Sequence, residues 1–393
     1  MKIPKIPTLA LLSVGAFLIL FLDPQELRHA VGVVNVEVPV RVFDGERFVD
    51  DLTIKDFEVF ENGKPQKIAA LYLIRKANIQ KKETSGDAAD KPAPKTGRTI
   101  VMQFEVLGPS PKLDEALDFF FDQVLEPKDS LIIITPRATY RFKPEALARL
   151  PRKEIARQLK AKLRKDILAG AREYKKLLSD FRDTLKLSID PDQKLFMLQD
   201  VIRQLRDRIG IDGASLRRTA QTLKALEGQK YVFLFYEKEL IPSASLGSFG
   251  DESLPAGESN LDDMAAAEMQ RDLTGNPKTI KQIFSDASIT VHFIFLTKSA
   301  SDIEDEVNGL ETKDVSASIY NIFNDMARAT GGVSEASGNP FAAFQKAATA
   351  TENYYLLYYV PESYQADGKF KEIQVRVKGK RFRVTNRGGY FAN

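Results

Sequence analysis

Two carboxylates are placed where an α/β protein does its chemistry. Glu105 closes the apolar run TIVMQFE, and Glu237 closes KYVFLFYE. Both runs have the length and the Val, Ile and Phe content of buried strands. Open α/β sheets bind ligands outside the carboxyl ends of their strands. A carboxylate there can attract a hard cation, and two across a cleft can divide acid and base roles. Little else in the sequence supports such chemistry. The 393 residues include no cysteine and only two histidines. That excludes disulfides, thiolate metal sites and cysteine nucleophiles, and it leaves histidine triads almost nothing to work with. His292 lies inside ITVHFIFL and reads as a core residue, while His29 lies near the N-terminus. GASLRR and NRGGY contain glycines but lack the strand–turn–helix setting of a phosphate loop. A metal-assisted hydrolase using Glu105 and Glu237 is therefore the least supported reading, and a non-enzyme is expected.

The elements that must position these carboxylates follow from hydrophobic periodicity. VNVEVPVRVF (Val34 to Phe43) alternates like a half-buried strand, and FEVF and IAALYLI read as further strands separated by Asp-Gly and Asn-Gly turns. Residues 31–77 are expected to form a small β unit, too small to bury a core alone. Residues 78–98, polar and rich in Pro, Gly, Ala and charge, are expected to be a linker. From residue 99 to 351, strands alternate with helices: TIVMQFEV, the amphipathic KLDEALDFFFDQVL, SLIIITP, then KYVFLFYE and ITVHFIFL. Such spacing predicts a mostly parallel sheet covered on both faces. Residues 144–226 carry no strand signal. Ile155, Leu159, Leu163, Ile167, Tyr174 and Leu178 recur at helical spacing opposite a Lys/Arg-rich face, which predicts a helical insertion or arm beside the sheet. A second polar, acidic loop is expected at Ser243 to Asp263. Residues 352–393 read as strands that pack with the N-terminal β unit.

At the start of the chain, Lys2 and Lys5 precede an apolar stretch over residues 6–22. Its length and positive flank fit an export signal, with residues 1–30 as a cleaved signal or an uncleaved membrane anchor. The protein is expected to be exported: secreted, periplasmic or tethered to the cell envelope. A net charge of +3 over this length gives no footprint for nucleic acid.

The order of segments resembles a bacterial family of von Willebrand factor A-related proteins. DLTIKDFEVFENGKPQKI is similar to the family's N-terminal β motif, and FEVLGPSPKLDEALDFFFDQVLEPKDSLIIIT to its first strand, first helix and second strand. LKALEGQKYVFLFYEKEL resembles its fourth-strand segment, and the stretch from ARATGG to NRGGYFA resembles its C-terminal end. The resemblance implies a doubly wound, mostly parallel, Rossmann-like A-domain sheet of order 3-2-1-4-5-6, with a helical insertion and a β subdomain built from both ends of the chain. It also implies that Glu105 and Glu237 flank the metal-ion-dependent adhesion site. Metal-binding members carry Asp-x-Ser-x-Ser after the first strand, plus a Thr and an Asp from later loops. Here the first motif becomes Glu105-x-Leu107-x-Pro109, with Ser110 one residue beyond register and Ser215 the stand-in for the threonine. Because Mg²⁺ demands near-ideal octahedral oxygen geometry, the site formed by Glu105, Ser110, Ser215 and Glu237 is expected to be degenerate. No cofactor is expected, with a weakly held Mg²⁺ or Ca²⁺ as the alternative.

Two binding functions follow from this reading. The first is a non-enzymatic adhesion-type module that meets an extracytoplasmic protein partner through loops around Glu105 and Glu237. The second places the basic helices of the insertion on an anionic membrane or envelope polymer.

Overall fold

The computed structural model describes residues 34–85, 93–106, 108–135, 137–149, 151–209, 213–237, 240–242, 277–297, 312–314, 316–379 and 381–393. The export segment and the acidic loop at 243–263 lie outside the described residues. Among the described residues, no helix is long and apolar enough to cross a membrane.

The central sheet has six strands: β7 (Arg98–Glu105), β8 (Ser130–Ile134), β9 (Thr139–Phe142), β10 (Gln229–Glu237), β12 (Ile289–Leu296) and β14 (Ser334–Ser337). They lie in the order β14-β12-β10-β7-β8-β9. Numbered along the chain, that is 3-2-1-4-5-6 read from the β9 edge. All pairs are parallel except β8–β9. β10 after Lys230 and most of β12 are apolar, and both strands are almost wholly buried, as strands covered on two faces must be.

Helices lie on both faces. On one face α1 (Pro111–Phe119) continues through a π turn (Phe120–Val124), and α8 (Pro340–Glu352) packs beside it over Met102, Phe104, Phe233 and Phe235. On the other, α4 (Pro191–Ile209), α5 (Gly213–Lys224), α6 (Pro277–Asp286) and α7 (Ser316–Ala329) cover Val101, Val232, Leu234 and Phe293. After the short α2 (Pro144–Arg149), the 34-residue α3 (Arg152–Leu185) contributes to both cores. Its Ile155, Leu159, Leu163 and Ile167 belong to the first, and its Tyr174, Leu178 and Phe181 to the second. A helix of that length spans about 50 Å, enough to pass from one face of the sheet to the other. The expected arm is thus a structural part of the α/β layer, because its apolar stripe continues through both halves.

β11 (Leu240–Pro242) and β13 (Thr312–Asp314) pair as an antiparallel two-stranded ribbon, and the remaining strands form two larger sheets. One runs β17 (Arg383–Asn386), β1 (Val36–Asp44), β15 (Asn353–Tyr359), β5 (Ile68–Arg75), β6 (Asn78–Thr84), with β2 (Arg47–Phe48) hairpinned on β1. The other runs β18 (Gly389–Phe391), β16 (Phe370–Val377), β3 (Phe57–Glu61), β4 (Lys64–Gln66). Strands from both ends of the chain are neighbours in each: Val38 stands opposite Leu357, and Val59 opposite Val375. A shared core of valines, Phe57, Leu71, Tyr355, Leu357 and Ile373 fills the space between them. One stretch corrects the reading of the sequence. Residues 78–84, assigned to a linker by composition, form the edge strand β6 on β5. Its side chains are mostly exposed, so backbone pairing holds it and the usual apolar signal is missing.

Candidate functional site

β7 and β10 lie side by side in parallel, with Gln229 opposite Arg98 at one end and Tyr236 opposite Glu105 at the other. The two carboxylates therefore end adjacent strands, at the position where the strand order reverses. Their side chains diverge. In a strand, successive residues point to opposite faces. Glu105 shares its face with Val101 and with its register partner Tyr236, whose core lies under α4 and α7. Glu237 is one residue past Tyr236 and follows Phe233 and Phe235, on the face covered by α1 and α8. One-residue register thus sends the carboxylates to opposite faces of the sheet. Glu105 also accepts a hydrogen bond from Gln103 Nε2 at 2.9 Å.

Ser110 serves the local fold through its backbone, and its hydroxyl makes no capping hydrogen bond. It is the N-cap of α1, extended at φ −130°, and its carbonyl accepts from the Leu113 and Asp114 amides. Pro111 follows at the first helical position, which suits proline because its missing N–H is not needed there. Ser215 lies within α5, and Pro109, which brings no ligand oxygen on its side chain, is exposed. The metal implied by the resemblance would need these positions to converge. Glu105 and Glu237, turned to opposite faces of the sheet, do not converge on one ion.

A denser polar arrangement, which sequence reasoning missed, lies toward the other end of the same strands. Arg98 and Asp129 form a buried pair, with Nε 3.0 Å from Oδ1 and Nη2 2.6 Å from Oδ2. Gln229 Nε2 donates to Glu37 Oε1 at 2.9 Å. Lys230 Nζ donates to the Ala287 carbonyl at 3.1 Å, and burial lowers its pKa. Arg41, from β1, donates to the Tyr231 hydroxyl at 3.1 Å and lies over the rings of Tyr231 and Tyr354. Next to it, His292 is fully buried and stacked on Phe233 at 4.9 Å. Its Nδ1 accepts from the Val333 amide at 3.2 Å. Of these contacts, Arg41–Tyr231 and Gln229–Glu37 join the β layer to the α/β sheet, and the Arg98–Asp129, Lys230–Ala287 and His292–Val333 contacts lie within the α/β layer. The sequence signal was a run of polar residues, Gln229 and Lys230, opening an otherwise apolar strand.

No family model and no curated protein matches the chain. Among solved structures, it is similar to the TFIIH p34 N-terminal domain at 13% identity, over 64% of this chain and 95% of that one, with a TM-score of 0.22. It is also similar to the human COPII-coat protein Sec24c at 9% identity, over 79% of this chain and 45% of that one, with a TM-score of 0.28. At such scores neither likeness bears on fold or function.

Proposed function

We propose that this protein is a non-catalytic, extracytoplasmic binding module on a von Willebrand factor A-like scaffold, meeting a protein partner through loops at the carboxyl ends of the central sheet. The observation that carries the reading is the divergence of Glu105 and Glu237 at the reversal point of the 3-2-1-4-5-6 sheet. The strand order, the antiparallel edge strand β9 and the helices on both faces support an A-domain-like layout. The divergence favours contact without a bridging cation, since Mg²⁺ needs its ligands converged. Export rests on the sequence of residues 1–30, as does tethering to the envelope through residues 6–22.

The residues offered at that end include Gly108, Pro109 and Ser110 after β7 and Arg137 and Ala138 between β8 and β9. Rigid strands that end in loops are the usual way to present a binding surface. The alternative, the basic face of α3 on an anionic membrane, has less in its favour. The apolar stripe that would enter the lipid is buried in the two cores, which leaves charge alone to act.

Photo-crosslinking tests the reading. A photoreactive residue at Ser110 should capture one discrete extracytoplasmic protein, and the same residue at the exposed Lys64 of β4 should not. Equal labelling from both positions, or none from Ser110, would rule the loop surface out.

A further inference from the structure

β14 is an edge of the central sheet, with β12 as its neighbour in the ladder. The Phe293 amide donates to the Val333 carbonyl at 2.8 Å, and the Thr297 amide to the Ser337 carbonyl at 3.1 Å. Residues 333, 335 and 337 therefore turn their backbone groups toward β12, and Ser334 and Ala336 turn theirs outward. Among the described residues, none donates to or accepts from those outward groups. An open strand edge of this kind is a template for another strand.

This edge opens into a cleft of about 1120 Å³. Its walls are α7 and α8 on one side and the β1–β2 hairpin with β17 on the other. Two guanidinium groups line it, those of Arg328 and Arg383. Arg383 lies 4.3 Å over the Phe43 ring, and among the described residues neither arginine is ion-paired with a carboxylate. Of the lining acids, Glu335 is engaged by Lys346 at 2.7 Å, which leaves Glu46 against the two arginines. Two buried hydroxyl oxygens at the cleft, Ser334 Oγ and Thr385 Oγ1, have no hydrogen-bond partner. The cleft thus presents an unused backbone edge and surplus positive charge in one place.

We propose that the cleft takes an extended acidic peptide segment of a partner protein, which adds to the sheet beside β14. Its backbone pairs with the outward groups of Ser334 and Ala336, and its carboxylates meet Arg328 and Arg383, where planar guanidinium and carboxylate groups form two parallel hydrogen bonds. This surface is separate from the loops around Glu105, and the inference stands or falls independently of them.

A library of end-blocked heptapeptides, screened against the full chain, provides the test. Enriched peptides should carry Asp or Glu at alternate positions. They should bind at least tenfold more weakly to the Arg328→Ala/Arg383→Ala variant and protect the Ser334 and Ala336 amides from hydrogen exchange. N-methylation of alternate peptide amides, which leaves the protein untouched, should abolish binding in one register and spare it in the other. A library that yields no peptide preferring the unaltered chain would overturn the proposal. So would peptides that tolerate N-methylation in both registers or leave the Ser334 and Ala336 amides unprotected.

Discussion

His292 is an imidazole sealed between Phe233, the Val333 amide and Arg41. Burial, and next the Arg41 charge, push its pKa well below the ordinary value. An unfolded histidine titrates near 6.5. Below that pH the unfolded chain binds the extra proton, so the stabilisation is fully present above about pH 6.5 and is lost as the pH falls. Urea midpoints should therefore fall to lower urea concentration between pH 7.5 and 5.5. The drop should shrink in His292→Gln, and parallel pH profiles for the two proteins would contradict the assignment. Asp129 gives a second test at the same scale. It accepts twice from the Arg98 guanidinium, once from the Arg98 amide at 3.3 Å, and from the Glu126 amide at 2.8 Å. Removing it in Asp129→Ala strands a buried guanidinium and should cost about 3–5 kcal/mol in denaturant unfolding; a loss under 1 kcal/mol, as an exposed pair would give, would contradict it. The core position of His292 was legible from its apolar flanks. Its pairing with Val333 was not, because the partner lies 41 positions away in the sequence and one chain carries no record of such contacts.

Among the elements, α3 shows what periodicity gives and what it leaves out. Its apolar stripe was legible from Ile155 to Leu178, but a stripe does not say what it packs against. Leu163 lies in one core and Leu178 in the other. Each change to alanine should cost about 2–5 kcal/mol, and the double variant should equal their sum within ~0.5 kcal/mol, as for independent sites. Losses below 1 kcal/mol for either would restore the free arm. Turns show a similar split. Asn62 and Gly63, both at positive φ, follow the Asn-Gly rule and announce the β3–β4 hairpin. Lys76 and Ala77 hold the same left-handed conformation between β5 and β6 without either signature residue. That disguised turn, followed by an exposed edge strand, is why residues 78–84 read as a linker. Gly332 is tighter still: a Cβ there would lie 1.8 Å from the Val291 carbonyl oxygen. Gly332→Ala should destabilise by about 1–3 kcal/mol or more, seen as a lower melting temperature, and an unchanged melt would contradict the close approach of β12 to this turn.

For the whole molecule, residues 34–393 cluster as one compact unit. Arg41 on β1, Glu37 beside Gln229 and Tyr358, and the Arg387 guanidinium on Ser288 Oγ at 2.5 Å tie the β layers to the α/β sheet. Alternation and strand order along the chain were legible in the sequence. The face to which each strand-end side chain turns was not, since a one-residue register choice reverses it. That choice decides the candidate site: Glu105 opposite Tyr236 places Glu237 on the other face. Calorimetric titration of Mg²⁺, Mn²⁺ and Ca²⁺ into the protein, beside the Glu105→Ala/Glu237→Ala variant, tests this directly. A platform that binds its partner without metal predicts flat titrations for both proteins. Saturable binding that the double variant loses would mean that the carboxylates converge on a cation after all.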